Sequence, residues 1–287
     1  MKIPDILSSV QPSVSFEVFP PKQNAAFEPI VAAVDRLCDL KPAFISVTYG
    51  AGGGANTNTR AIAEHIVRRG VTPLAHLTCL TSTREKIQEE LAALRNAGVR
   101  NILALRGDLP EGRKDTGGDF QYGVQLLRYL HEKYPEMDLY APAYPEGHIE
   151  DTEYGKAKHI LLEKALYARM CITQMCLTKQ VMNEFAFFCS LRNYIGIMPL
   201  TDKDRIFKMC AKNGIEMPRE LMRLMGRYDG EDFRKAGLDY TVGLAKNAME
   251  LKSYGIQIFS MNDADAVEQI VRGGKIVRIR RKRFLPQ

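Results

Sequence analysis

Apolar residues along this chain fall in short runs that alternate with longer stretches of helical spacing. The runs are 14–20 (VSFEVFP), 44–50 (FISVTYG), 72–78 (TPLAHLT), 101–107 (NILALRG), 138–145 (DLYAPAYP), 168–174 (ARMCITQ), 193–200 (NYIGIMPL) and 256–262 (IQIFSMN). Each is rich in the β-branched and aromatic residues that favour strands. Between the runs, Phe27, Ile30, Val31, Val34, Leu37 and Cys38 recur at i, i+3, i+4 spacing and share one helical face. Ser82 and Glu85 stand in capping-box spacing ahead of Ile87, Leu91 and Leu94, and Gly98 follows where a left-handed cap is expected. Pro218 suits the first turn of an extra helix in the stretch 217–254, which divides around 228–231.

Eight strand-helix units in 287 residues predict an α/β fold, a (β/α)8 TIM barrel in a single domain, rather than an open doubly wound sheet. The barrel is expected over residues 1–271, with a basic C-terminal tail over 272–287. Barrel enzymes place their chemistry at the C-terminal ends of the strands. Polar residues gather at those ends here: Glu17, Thr48, Tyr49, His76, Arg106, Asp108, Tyr144, Glu146, His148, Gln174 and Asn262.

Composition sharpens this picture. With 45% hydrophobic and 26% charged residues the chain reads as an ordinary globular protein, which excludes disorder, collagen and coiled coil. No run approaches the roughly eighteen apolar residues that span a bilayer, and the N-terminus has no signal-peptide core, so a cytoplasmic location without membrane attachment is expected. The net charge of +6 invites a nucleic-acid reading, but seven positive charges lie in the last sixteen residues and the body is nearly neutral. A solvated terminus is the commoner meaning of such a tail than RNA binding. The six cysteines form no CxxC pair and no Cys/His cluster, so reduced core thiols and no metal are expected.

Individual residues each carry two readings. Strand alternation sets Glu17 with Phe19 on one face; if that face lines the mouth, burial would raise the carboxyl pKa toward the range of a general acid, whereas on the rim it would pair with a lysine. Arg106, Gly107 and Asp108 could hold a ligand's ring nitrogens, the glycine letting backbone approach closely, or could close a loop through a salt bridge. The glycine-rich loop 50–54 matches neither phosphate-binding pattern and reads as a flexible connection. His76 and His148 read as hydrogen-bonded rim histidines. No GxSxG or nucleophilic cysteine context supports covalent hydrolysis.

Taken in order and spacing, SFEVFPPK, ISVTYGAGG, AHLTC, ILALRGDLP, AYPEGH, ITQ and GIMP resemble bacterial-type methylenetetrahydrofolate reductases over roughly residues 11 to 262. The resemblance implies reduction of 5,10-methylenetetrahydrofolate to 5-methyltetrahydrofolate, with NAD(P)H feeding electrons through FAD. It implies Glu17 as general acid, Asp108 between flavin and folate, and Gln174 as a contact to folate and nicotinamide in turn. Thr48, Tyr49, Ala51, His76, Arg106, Gly107, Asp108, Tyr144, His148 and Lys164 match positions that line FAD in the family. Self-association or a partner subunit is a further expectation from the resemblance.

The likeness thins in the second half. Ala157, Ile160 and Glu163 stand where the family carries Asp, Asn and Arg toward the dinucleotide, and only Lys164 is kept. Asp263 replaces an Arg expected to help hold the folate, and a carboxylate there is expected to repel the substrate's glutamate tail. The residues asked to move protons and position substrate survive, while the losses fall on groups that supply binding energy. A flavin-independent folate reductase or methyl-transfer partner, and a catalytically silent barrel subunit, are the competing readings.

Overall fold

The computed structural model describes residues 2–3, 12–21, 26–49, 56–109, 117–151, 155–251 and 253–276. Eight parallel strands close into a barrel in sequence order: β1 (Ser13–Val18), β2 (Ile45–Val47), β3 (Pro73–Thr78), β4 (Asn101–Leu105), β5 (Asp138–Ala143), β6 (Met170–Met175), β7 (Arg192–Ile197) and β8 (Gly255–Phe259). β8 pairs with β1, with Glu17 opposite Phe259 on one side and Ser46 on the other. The expected (β/α)8 single-domain fold is therefore the fold observed.

The helices among the described residues are α1 (Glu28–Asp39), α2 (Asn56–Arg68), α3 (Arg84–Asn96), α4 (Gly123–Lys133), α5 (Lys156–Lys164), α6 (Lys179–Phe188), α7 (Lys203–Asn213), α8 (Arg219–Arg227), α9 (Gly230–Glu250) and α10 (Ala264–Gly273). Their starts follow capping chemistry. Thr83, Thr178 and Asp202 each accept a backbone N–H from the first turn that would otherwise lack an acceptor. The capping box expected from Ser82 and Glu85 does not form: Thr83 is a simple cap, accepting from Lys86 N at 3.3 Å, and Ser82 is buried with its backbone committed to Cys79 and Asp119. Gly98 takes the left-handed conformation expected of it, at φ 81°. None of these helices is long and apolar enough to cross a membrane.

Buried apolar side chains form two groups. The larger lies between strands and helices; the smaller (Phe44, Leu74, Leu103, Tyr140, Met170, Ile172 and Tyr194 among its members) plugs the barrel interior. The inward stripe of β1 is polar, and each member meets a partner: Ser13 hydrogen-bonds the Tyr194 hydroxyl, Ser15 donates to Gln257 Oε1, and Glu17 faces His76. Gln257 in turn donates to Ser46 Oγ at 2.7 Å. Between β7 and β8 the chain makes three helices instead of one, dividing at Asp229 within the expected 228–231 break, with Pro218 capping α8. α9 packs beside β7 and β8 as the barrel's outer stave. At the C-terminal side, α10 runs to Gly273 and Ile276 is buried; residues 277–287 of the basic tail lie outside the described residues.

Candidate active site

Glu17 is the fifth residue of β1, and its side chain is 13% exposed. Oε2 lies 3.5 Å from Nε2 of His76, a buried residue of β3. Burial pushes the Glu17 carboxyl up to about 8, partly offset by a hydrogen bond from Ser46. Burial likewise pulls His76 down to about 3. Neither group meets water well enough to carry a charge cheaply, so around neutrality Glu17 keeps its proton and the imidazole is neutral. Beneath them Ser15, Gln257 and Ser46 form a fully buried hydrogen-bonded chain that reaches Glu17 through Ser46. Nε2 of His76 makes no hydrogen bond with any described residue.

A second cluster occupies the ends of β4 and β5. Gly107 has φ 81°, and a Cβ there would meet Thr78 Cβ at 2.9 Å, so this close approach of two strands' ends admits only glycine. Arg106 pairs with Glu150, whose backbone N–H donates to His148 Nδ1 at 3.2 Å. The His148 and Tyr144 rings meet edge to face at 4.8 Å. Buried Lys164, at the end of α5, lies 5.3 Å from the centre of the Tyr144 ring and donates to Pro142 O at 2.8 Å. Burial draws its ammonium down to about 8 and the Tyr144 phenol up to about 12. Thr48 and Tyr49 are half-buried at the end of β2, where the Thr48 carbonyl accepts from Thr59 Oγ1 at 3.0 Å. Ala51 lies outside the described residues.

The third cluster was invisible in the sequence. The end of α7 and the connection after it reach across the mouth: Lys212 pairs with Asp108 at 2.7 Å, Asn213 accepts from Gln174 Nε2 at 3.0 Å, and Glu216 N donates to Glu146 at 3.0 Å. Consecutive residues of one helix thus hold the rim residues of β4 and β6. Asp108 is 77% exposed, so its ion pair with Lys212 is a solvated one.

Two differences from expectation have local causes. Asp263 is not a free carboxylate: it caps α10, accepting from Ala266 N at 2.9 Å, and pairs with Arg234 at 3.0 Å, so its charge is offset by a guanidinium. Asn262 is a brace, both donating to and accepting from the Phe19 backbone at 2.9 Å and so tying the end of β8 to the end of β1. A cleft of about 670 Å³ opens beside this brace, lined by Arg36, Arg205, Arg234 and Asp263 among others; Glu17, Asp108 and Gln174 do not line it. Among the described residues no group of three or more His, Cys, Asp or Glu side chains could hold a metal ion.

With this geometry in place, comparison with known proteins decides the relationship. A family model described as methylenetetrahydrofolate reductase matches residues 2–274. The chain belongs to this family. It is 40% identical over 216 residues to 5,10-methylenetetrahydrofolate reductase of Salmonella typhimurium, covering 72% of this chain and 71% of that one. The Buchnera aphidicola enzyme of the same name is 29% identical over 280 residues, covering 94% and 93%. Among solved structures, an uncharacterized Clostridium thermocellum protein that binds two copies of 5-methyl-5,6,7,8-tetrahydrofolic acid superposes with a TM-score of 0.61. It is 14% identical and covers 95% of this chain and 98% of its own, a likeness of fold. Of the three family positions that differ on α5, Ala157 and Ile160 offer no side-chain polar group, and Glu163 pairs with Arg128 of α4 at 2.9 Å.

Proposed function

We propose that this chain reduces 5,10-methylenetetrahydrofolate to 5-methyltetrahydrofolate with reducing equivalents from NAD(P)H passed through FAD. The observation that carries the proposal is the Glu17–His76 pair: a carboxyl that keeps its proton at neutral pH, at the end of a barrel where ligands enter. Opening the methylene bridge breaks its bond to N10, and N10 must gain a proton as that bond breaks. Glu17, protonated up to about 8, is a donor matched to that task. The bridge carbon is left as an iminium on N5; a hydride then converts it to the methyl group, so one proton and one hydride account for the product.

FAD, when bound, supplies that hydride. His76 of β3, whose Nε2 has no hydrogen-bond partner among the described residues, and the buried Lys164 ammonium at the end of α5 suit its ring and phosphates. Tyr144 and His148 would add an aromatic wall. Asp108 and Gln174 face the folate in this reading, positioning it rather than exchanging protons.

Replacing Glu17 by Gln tests the proposal, since the amide keeps the shape and loses the proton. Folate-dependent oxidation of NADH should fall by about 10²–10⁴-fold with the thermal midpoint not lowered. In the parent protein the same rate should decline as pH rises past about 8, where Glu17 loses its proton. A Gln variant that turns over near the parent rate would sink the assignment. The bare α5 positions Ala157 and Ile160, with Glu163 engaged by Arg128, favour one second reading: hydride passing directly from the nicotinamide without flavin. Purified protein that turns over folate with no flavin absorbance would select it.

A further inference from the structure

The Gln174 amide is held at both ends. Its Oε1 accepts from its neighbour's backbone, Met175 N, at 2.9 Å, and its Nε2 donates to Asn213 Oδ1 at 3.0 Å. Asn213 is held in turn, its Nδ2 donating to Met209 O at 2.8 Å within α7. Side-chain amides normally admit two orientations that differ by exchange of oxygen and nitrogen. Here the chain of bonds begins at a backbone N–H, which only donates, and ends at a backbone carbonyl, which only accepts. Both amides therefore have one allowed orientation each. Among the described residues Gln174 is left with one free N–H and one free lone pair, an adjacent donor and acceptor of defined polarity.

We propose that Asn213 is a positioning residue, fixing the orientation in which Gln174 presents its donor and acceptor to the folate. This rests on the reading above that Gln174 touches folate. The physical effect is preorganisation: without Asn213 the Gln174 side chain must give up rotamer freedom on binding, and its amide is free to flip. The same turn of helix places Lys212 on Asp108, so the end of α7 is where a change would reach both rim residues.

The test is a double-mutant cycle read by calorimetric binding of 5-methyltetrahydrofolate, which needs neither flavin nor nucleotide turnover. The variants are Gln174→Ala, Asn213→Leu and the pair, with Asn213→Ala replacing the leucine variant if it fails to fold. Gln174→Ala should weaken binding by about tenfold, and Asn213→Leu by about three- to tenfold, the range of one hydrogen bond. In the Gln174→Ala background, Asn213→Leu should then add little, because a residue acting only through Gln174 has nothing left to position. A merely structural role would instead weaken binding equally in both backgrounds, and that result overturns the inference while leaving Gln174 as a folate contact. No effect of Asn213→Leu in the parent background does the same. No effect of Gln174→Ala overturns the underlying reading, and the inference with it.

Discussion

A carboxyl group sealed inside a barrel records its burial in the pH dependence of folding. Glu17 titrates at an ordinary 4.5 in the unfolded chain and at about 8 in the folded one. Between those values the folded state binds more protons, so the stability contributed by this group is complete below 4.5 and is lost as pH rises through 8. His76, with its folded pKa near 3, acts below 6.5 and in the opposite direction. Glu17→Gln keeps His76 and removes the carboxyl, so urea midpoints of parent and variant should diverge in favour of the variant as pH rises from 6.5 to 8. The difference should approach ~1.4 kcal/mol per pH unit, and parallel curves would show that Glu17 is not desolvated. The alternation of SFEVF set Glu17 and Phe19 on one face but left open whether that face lined the mouth or the rim; closure of the barrel decided it. Gln257, polar within the otherwise apolar IQIF, carried a signal of an inward polar contact that the sequence reading did not use. His76 as the partner was not legible, because nothing local relates β1 to β3.

At the scale of elements, the connection from β7 to β8 shapes the mouth. Its three helices were marked in the sequence by Pro218 and by the break near Tyr228, but the path of α7 over the barrel was not. α9 passes so close to the chain leaving β7 that a Cβ on Gly237 would lie 1.7 Å from Leu200 O. On the same helix a Cβ on Gly243 would meet nothing within 4 Å. Gly237→Ala should therefore destabilise the protein by at least about 1–3 kcal/mol in chemical denaturation, since backbone must shift to admit the methyl group. Gly243→Ala should be neutral or stabilising by up to about 1 kcal/mol, the helix preference for alanine. Equal effects at the two sites would contradict the close packing of α9. The helix cap read one residue early shows the same limit on a smaller scale: both Ser82 and Thr83 can cap, and tertiary contacts of Ser82 decided between them.

Across the whole molecule, closure of the barrel controls the thiols as well as the site. Burial pushes Cys38 and Cys210 up to about 11 and Cys79 and Cys176 up to about 12. Cys171 is also raised, while Cys189, 3.8 Å from it and partly exposed, is lowered by the hydrogen bond between them. An alkylating reagent at neutral pH should modify Cys189 first, the other five following only on unfolding; peptide masses after brief labelling would show this, and early labelling of Cys38 or Cys79 would refute it. The order of strands, the class of fold and most of the polar rim were written in the sequence, because hydrophobic period, caps and turn residues act over a few neighbouring positions. Which rim residues touch, which carboxylate is neutralised and which amide is held were decided only by the closed barrel, because those contacts join strands and helices far apart along the chain. The Glu17–His76 contact, the Asp263–Arg234 pairing and the grip of Asn213 on Gln174 are all of this second kind.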